Sequence, residues 1–181
     1  MREKLGLGLA VVAAMALGAA AVIAASPGET KLGKCLPTNN EVAGWTIIAN
    51  TYKYCPTPNS LSELYDGGFE VYVEAGIIKA ASQGYKRGSK KIIVYIHEFK
   101  TATQCKSYWS KEVKRYGERY GKTTVTARDG AAYSKVGPQV IGNIYRGKVH
   151  AKVVALGTDK GQQEATAAFM KKISERIGKN Y

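Results

Sequence analysis

Two histidines and three cysteines carry most of the reactive chemistry this chain can offer. His97 stands in Tyr95-Ile96-His97-Glu98-Phe99 and His150 in Lys148-Val149-His150-Ala151, both strand-like settings. Neither has the HExxH spacing that sets two ligands on one helix face, and two separated histidines without a cysteine pair make a poor zinc set. Cys35, Cys55 and Cys105 include no CxxC or CxxCH pattern, which disfavours thioredoxin-like redox work and c-type haem attachment. A catalytic pair of Cys105 or Cys55 with His97 has no local support, since such partners meet only through the fold. There is no GxSxG elbow, and no GxGxxG loop. Gly142 to Lys148 matches GxxxxGK by letter, but Val149 stands where a phosphate loop needs Ser or Thr, so a hairpin turn at Arg146-Gly147 is the expectation. No catalytic residue, cofactor or metal is expected.

Two charged constellations remain. Glu63, Asp66, Glu70 and Glu74 step by 3, 4 and 4, which on a helix stacks four carboxylates in one stripe. Like charges at that spacing repel. Oxygen-rich clusters suit calcium, but a rigid helix spaces carboxylates too widely for a full cage. Pairing with lysines, the chain's own or those of a second copy, competes with plain solvation. The opposite case is Lys111, Lys114, Arg115, Arg119 and Lys122, which flank an apolar stripe with Tyr108 outside it. Basic side chains beside an aromatic can follow an anionic polymer or stack on sugars, or simply form a solvated face.

The elements that must position these groups follow from periodicity. Trp45 to Tyr52, Ile77 to Tyr85, Lys91 to Phe99, Thr123 to Ala127, Ala131 to Val136, Val140 to Tyr145 and Val149 to Leu156 read as strands. Ser60 with Glu63 reads as a capping box opening a helix over 61–75. Gly67 and Gly68 would then lie inside that helix and require a packing reason, such as close approach to a sheet. Ala102, Cys105, Trp109, Val113, Tyr116 and Tyr120 define a second helix over 102–120, and Ala165, Phe169, Ile173 and Ile177 a third over 162–177. The order predicts a single α+β domain, a mostly antiparallel sheet covered by about three helices.

Arg2 and Lys4 precede Leu5 to Ala25, which carry no charge. That is the grammar of a secretory signal, with cleavage after Ala24. The same run in a helix reaches roughly 30 Å, enough for a membrane anchor. Residues 1–25 are therefore expected to be a signal peptide or anchor, 26–44 a flexible lead-in, and 45–181 the domain. Export brings an oxidising compartment and the expectation of one disulfide with one odd thiol, pairing Cys55 with Cys105 or Cys35 with Cys55.

The chain carries 27 Lys and Arg against 14 Asp and Glu, a net charge of +13. The imbalance is local: residues 25–78 hold 3 basic and 6 acidic side chains, and residues 79–181 hold 22 and 7. A basic block of that size attracts polyanions.

Leu36-Pro37, Gly44-Trp45 and the run Leu61-Ser-Glu-Leu-Tyr-Asp66-Gly67-Gly68-Phe-Glu70-Val-Tyr72-Val-Glu-Ala-Gly76 together resemble a family of uncharacterised exported bacterial proteins. That family opens on an LP…GW segment and carries a helix like LYEYINGAAELYLSYG. Asp66 replaces the usual Asn, and Phe69 a small residue. The resemblance implies an exported α+β domain and assigns no activity.

These readings point first to an exported non-enzymatic binding or accessory subunit of the cell envelope, periplasmic or secreted and tethered if residues 5–25 are kept. It would act through a protein partner or a second copy, by its acidic helix and basic remainder. The second reading is a domain for anionic polysaccharide or a lipid surface. Nucleic acid is not an expected partner.

Overall fold

The strands alternate between small apolar residues and polar or aromatic ones, and that alternation builds a sheet with two unlike faces. The computed structural model describes residues 26–65, 67–120, 124–126 and 131–181, with the backbone alone at 116–120, 124–126 and 133–136. The leader over 1–25 lies outside the described residues. The strands are β1 (Thr46–Ile47), β2 (Lys53–Cys55), β3 (Ile77–Arg87), β4 (Lys90–Phe99), β5 (Thr124–Thr126), β6 (Ala131–Val136), β7 (Gln139–Arg146) and β8 (Val149–Leu156). They form one antiparallel sheet in the order β1-β3-β4-β8-β7-β6-β5, with β2 also paired to β3. The helices are α1 (Lys31–Lys34), α2 (Glu70–Glu74), α3 (Ala102–Tyr120) and α4 (Lys160–Asn180). The chain is thus the single α+β domain that the periodicity predicts.

One face is the main core. Ile92, Val94 and Ile96 of β4 and Val149, Ala151, Val153 and Ala155 of β8 lie buried with Phe169, Met170, Ile173 and Ile177 of α4. Phe169 meets Trp45 and Tyr85 edge-on, with ring centroids 5.6 and 4.8 Å away. Gly142 of β7 brings α4 close: a Cβ there would run into the Met170 sulfur. The helix starts at Asp159, whose carboxylate accepts from the Gln162 N–H at 3.1 Å. The turn at Arg146-Gly147 is a β7–β8 hairpin, with Gly147 at φ 56°.

Three expectations are corrected. Residues 26–44 are not a flexible lead-in: Thr30 caps α1, and Leu32, Cys35, Leu36 and Val42 enter the core. Arg176 of α4 locks this segment, with Nε and Nη2 on the Glu41 carboxylate and Nη1 on the Lys34 carbonyl at 2.6 Å. Burial pulls the Glu41 carboxyl up, but hydrogen bonds from Thr38 and Arg176 hold it below the ordinary carboxylate range. Next, the strand expected over 45–52 is only β1, with β2 following after a break. Finally, no continuous helix spans 61–75. A 3-10 turn over Asn59–Glu63 ends at Leu64, and α2 begins at Glu70. Gly67 and Gly68 sit between them at φ 69° and 68°, with open space around them. Their requirement is a left-handed backbone, which breaks a helix, and not a close approach. Ser60 bonds back to Thr57 and forms no capping box with Glu63.

Candidate functional site

The other face of the sheet carries Ile93, Tyr95 and His97 of β4 and His150, Lys152 and Val154 of β8, because register places Tyr95 opposite Lys152 and His97 opposite His150. The segment from Asn59 to Glu74 and α3 cover it incompletely. They leave a cleft of about 450 Å³ lined by Tyr65, Tyr95, His97 and Lys152 among others. A second hollow of about 570 Å³ adjoins it, lined by Val71, Glu74, Lys111 and Glu112. Tyr72, Tyr108 and Arg115 line both. Tyr65 stacks on Tyr72 with centroids 3.9 Å apart and planes 15° apart, and lies 6.2 Å from Tyr95. Val71, 60% exposed, and Leu156, 43% exposed, supply apolar rims.

A chain of side-chain hydrogen bonds floors the cleft. The Tyr65 hydroxyl meets His97 Nε2 at 2.5 Å, His97 Nδ1 meets His150 Nδ1 at 3.1 Å, and His150 Nε2 meets Asn143 Oδ1 at 3.2 Å. The two imidazoles are nearly parallel, at 8°, and Tyr108 abuts both edge-on. Both histidines are fully buried. Burial, and then Lys152, pushes His97 down to about 3; burial, His97 and Lys152 take His150 well below the ordinary histidine value. The pair is neutral at neutral pH. Burial, followed by the neighbouring tyrosines, drives Tyr65 above the usual phenol range, so it stays protonated.

Electrostatics at the mouth centre on Glu112. It was not among the expected site residues, yet its side chain is nearly buried and faces two cations: Arg115 at 3.5 Å and Lys152 at 3.7 Å. Arg115 is 62% exposed and Lys111 lies open beside it. Among the described residues, three cations and two carboxylates line the paired hollows.

The predicted residues divide accordingly. Lys111 and Arg115 of the basic face reach the hollows, and Lys114 is exposed on α3. Arg119 belongs to α3, its side chain outside the described residues, as is Lys122 altogether. Tyr108, read as lying outside the apolar stripe, packs inward on Phe99 and the histidines. Of the acidic set, Glu63 sits on the 3-10 turn and Glu70 and Glu74 on α2. Asp66 falls outside the described residues. The carboxylates expected on one helix are therefore divided by the glycine break between the 3-10 turn and α2. Among the described residues, no group of three or more His, Cys, Asp or Glu could hold a metal.

The cysteines are three buried free thiols. Cys35 lies in the core under α4 and Cys55 in the cluster under α3, so the sheet separates that expected pair. Cys55 and Cys105 share the α3 cluster but are not bonded. Burial raises Cys55 to about 11 and Cys105 to about 12. Both thiols are protonated at neutral pH, and His97 is spent on Tyr65 and His150, so the Cys–His catalytic pair is not formed.

The sequence signal for this site was thin. Alternation already sets Tyr95 and His97, and His150 and Lys152, on the polar side of their strands, but only sheet register brings the two histidines together.

No family model and no curated protein matches the chain. Among solved structures it is similar to the extracellular domain of PknH from Mycobacterium tuberculosis, at 14% identity over 80% of this chain and 95% of that one, with a TM-score of 0.49. That likeness is too distant to bear on ligand or activity. No described helix is long and apolar enough to cross a membrane.

Proposed function

We propose that this chain is an exported, non-enzymatic binding domain whose paired hollows take an acidic saccharide. One observation carries the reading: tyrosine rings and cations line the same cleft, Tyr65, Tyr72 and Tyr95 with Arg115 and Lys152, and Lys111 lines the adjoining hollow beside Tyr72 and Arg115. Pyranose rings pack on aromatic faces, and carboxylates pair with guanidinium in a fork. A membrane surface would instead favour cations on a convex face, free of a groove. Export rests on the charge-free run from Leu5 to Ala25 behind Arg2 and Lys4.

The test is calorimetric titration with polygalacturonate, with neutral dextran and anionic phosphatidylglycerol vesicles as comparators. Polygalacturonate should bind and dextran should not. Lys111→Glu with Arg115→Glu should weaken binding at least about tenfold, and about 0.5 M salt should weaken it further. Equal binding by the double variant, or tighter binding to vesicles than to polygalacturonate, would sink the reading.

A further inference from the structure

The hydrogen-bonded chain under the cleft has a direction, and the direction is set at its buried end. Asn143 presents Oδ1, which only accepts, so His150 Nε2 carries the proton at that contact. A neutral imidazole bears one N–H, which leaves His150 Nδ1 as an acceptor. His97 Nδ1 must then donate across the 3.1 Å contact, and His97 Nε2 is left bare. The Tyr65 hydroxyl fills that vacancy by donating to His97. A phenol has one proton and two lone-pair directions. With its proton committed to the floor, Tyr65 has only acceptor capacity left to offer.

Tyr65 lines the cleft together with Arg115 and Lys152. We infer that Tyr65 is a specificity-determining residue of this site: it accepts a hydrogen bond from a ligand hydroxyl and rejects an anionic oxygen at that position, which the neighbouring cations take instead. The inference rests on the proposed saccharide reading and sharpens it. The ligand must carry hydroxyl donors as well as anionic groups, as a sugar acid does and sulfate does not. His97, His150 and Asn143 are positioning residues, since they fix the polarity of Tyr65 without touching the ligand.

Two measurements test this. On the full chain with nitrogen-15-labelled histidine, NMR should find His97 protonated at Nδ1 and His150 at Nε2. A proton on His97 Nε2 overturns the inference whatever binds. The second compares a galacturonate trimer with the same trimer O-methylated at its hydroxyls, which keeps the carboxylates and loses the donors. The native protein should prefer the unmodified trimer by about tenfold, and Tyr65→Phe should bind both alike. If Tyr65→Phe keeps the full preference, Tyr65 does not select, while the saccharide reading survives. If the native protein binds neither trimer, the saccharide reading falls and the ligand assignment falls with it.

Discussion

The α4 face and the α3 face are made by the same strands, residue by residue in alternation, yet they solve opposite problems. Under α4 the sheet presents Ile92, Val94, Ile96, Ala151, Val153 and Ala155, and the helix answers with Phe169, Met170, Ile173 and Ile177. Gly142 lets the helix approach, and these strand side chains carry no polar group; the Tyr85 hydroxyl beside Phe169 donates to the Pro37 carbonyl at 2.9 Å. Under α3 the same strands present Tyr95, His97, His150 and Lys152, groups that cost free energy when buried without partners. The histidines are satisfied through each other, by Asn143 and by Tyr65 from a non-helical segment, and Lys152 faces Glu112. Apolar packing can be sealed by any helix of suitable period. A polar floor needs particular partners in particular places, and the incomplete cover above it leaves room for a ligand.

Breaking the sealed face should have the larger effect. Phe169→Ala removes the ring that joins Trp45, Tyr85 and α4, and should cost about 4 kcal/mol in denaturant unfolding. A loss well under half of that would mean the α4 face is less tightly packed than its contacts indicate.

The polar face should reveal itself through pH. Below pH 6.5 the unfolded chain gains a proton on each imidazole, while in the folded chain His97 stays neutral until pH falls to about 3, and burial with His97 and Lys152 keeps His150 neutral well below the ordinary histidine value. Stability contributed by the neutral pair is therefore whole above the ordinary histidine value and falls as pH drops below it. Between pH 7.5 and 5.5 the two histidines together should remove about 3 kcal/mol. His97→Gln should take away close to half of that dependence, and an unchanged profile would contradict the burial of the pair. Further acid should add the loss of Glu98. Burial opposes its ionisation, but Lys148, Tyr181 and Lys79 hold its carboxyl below the usual range, so its contribution is whole above the ordinary carboxylate value and is lost as pH falls from there through the lowered one.

The smallest effect on stability should come from the mouth of the cleft. Glu112→Gln releases Arg115 and Lys152 from a carboxylate, in a setting where Arg115 is already largely solvated. Unfolding should shift by about 1–2 kcal/mol, more than an exposed pair gives because Glu112 is nearly buried but less than a fully buried pair because Arg115 is solvated, while affinity for polygalacturonate should rise severalfold by calorimetry. A large loss of stability would instead make Glu112 a strut of the fold.

Much of the architecture was legible in the sequence because it is local. Cys105 and the 102–120 period mark α3, and Ala165, Phe169, Ile173 and Ile177 mark α4. Turn chemistry at Gly88 and Gly147 delimits the hairpins, and strand alternation sorts the two faces. Misreadings arose where local signals compete. Ser60, Glu63 and the carboxylate spacing all suggest one helix, but two left-handed glycines outweigh them. The prolines, glycines and asparagines of 26–44 suggest mobility, but Leu32, Leu36 and the Arg176–Glu41 contact supply tertiary anchors that no local pattern carries.

The sequence by itself determined that this is a basic chain with an uncharged N-terminal run, an antiparallel α+β pattern and a basic helix over 102–120. These follow from charge and period, which need no knowledge of what lies across the sheet. Only the tertiary structure decided that His97 meets His150 across 53 positions, that Tyr65 reaches over them, and that Glu112, unremarked in the helix, holds Arg115 and Lys152. Hydrogen bonds between side chains on different strands depend on register and on which residues the covering segments deliver. Those are properties of the assembled sheet, and no stretch of chain contains them.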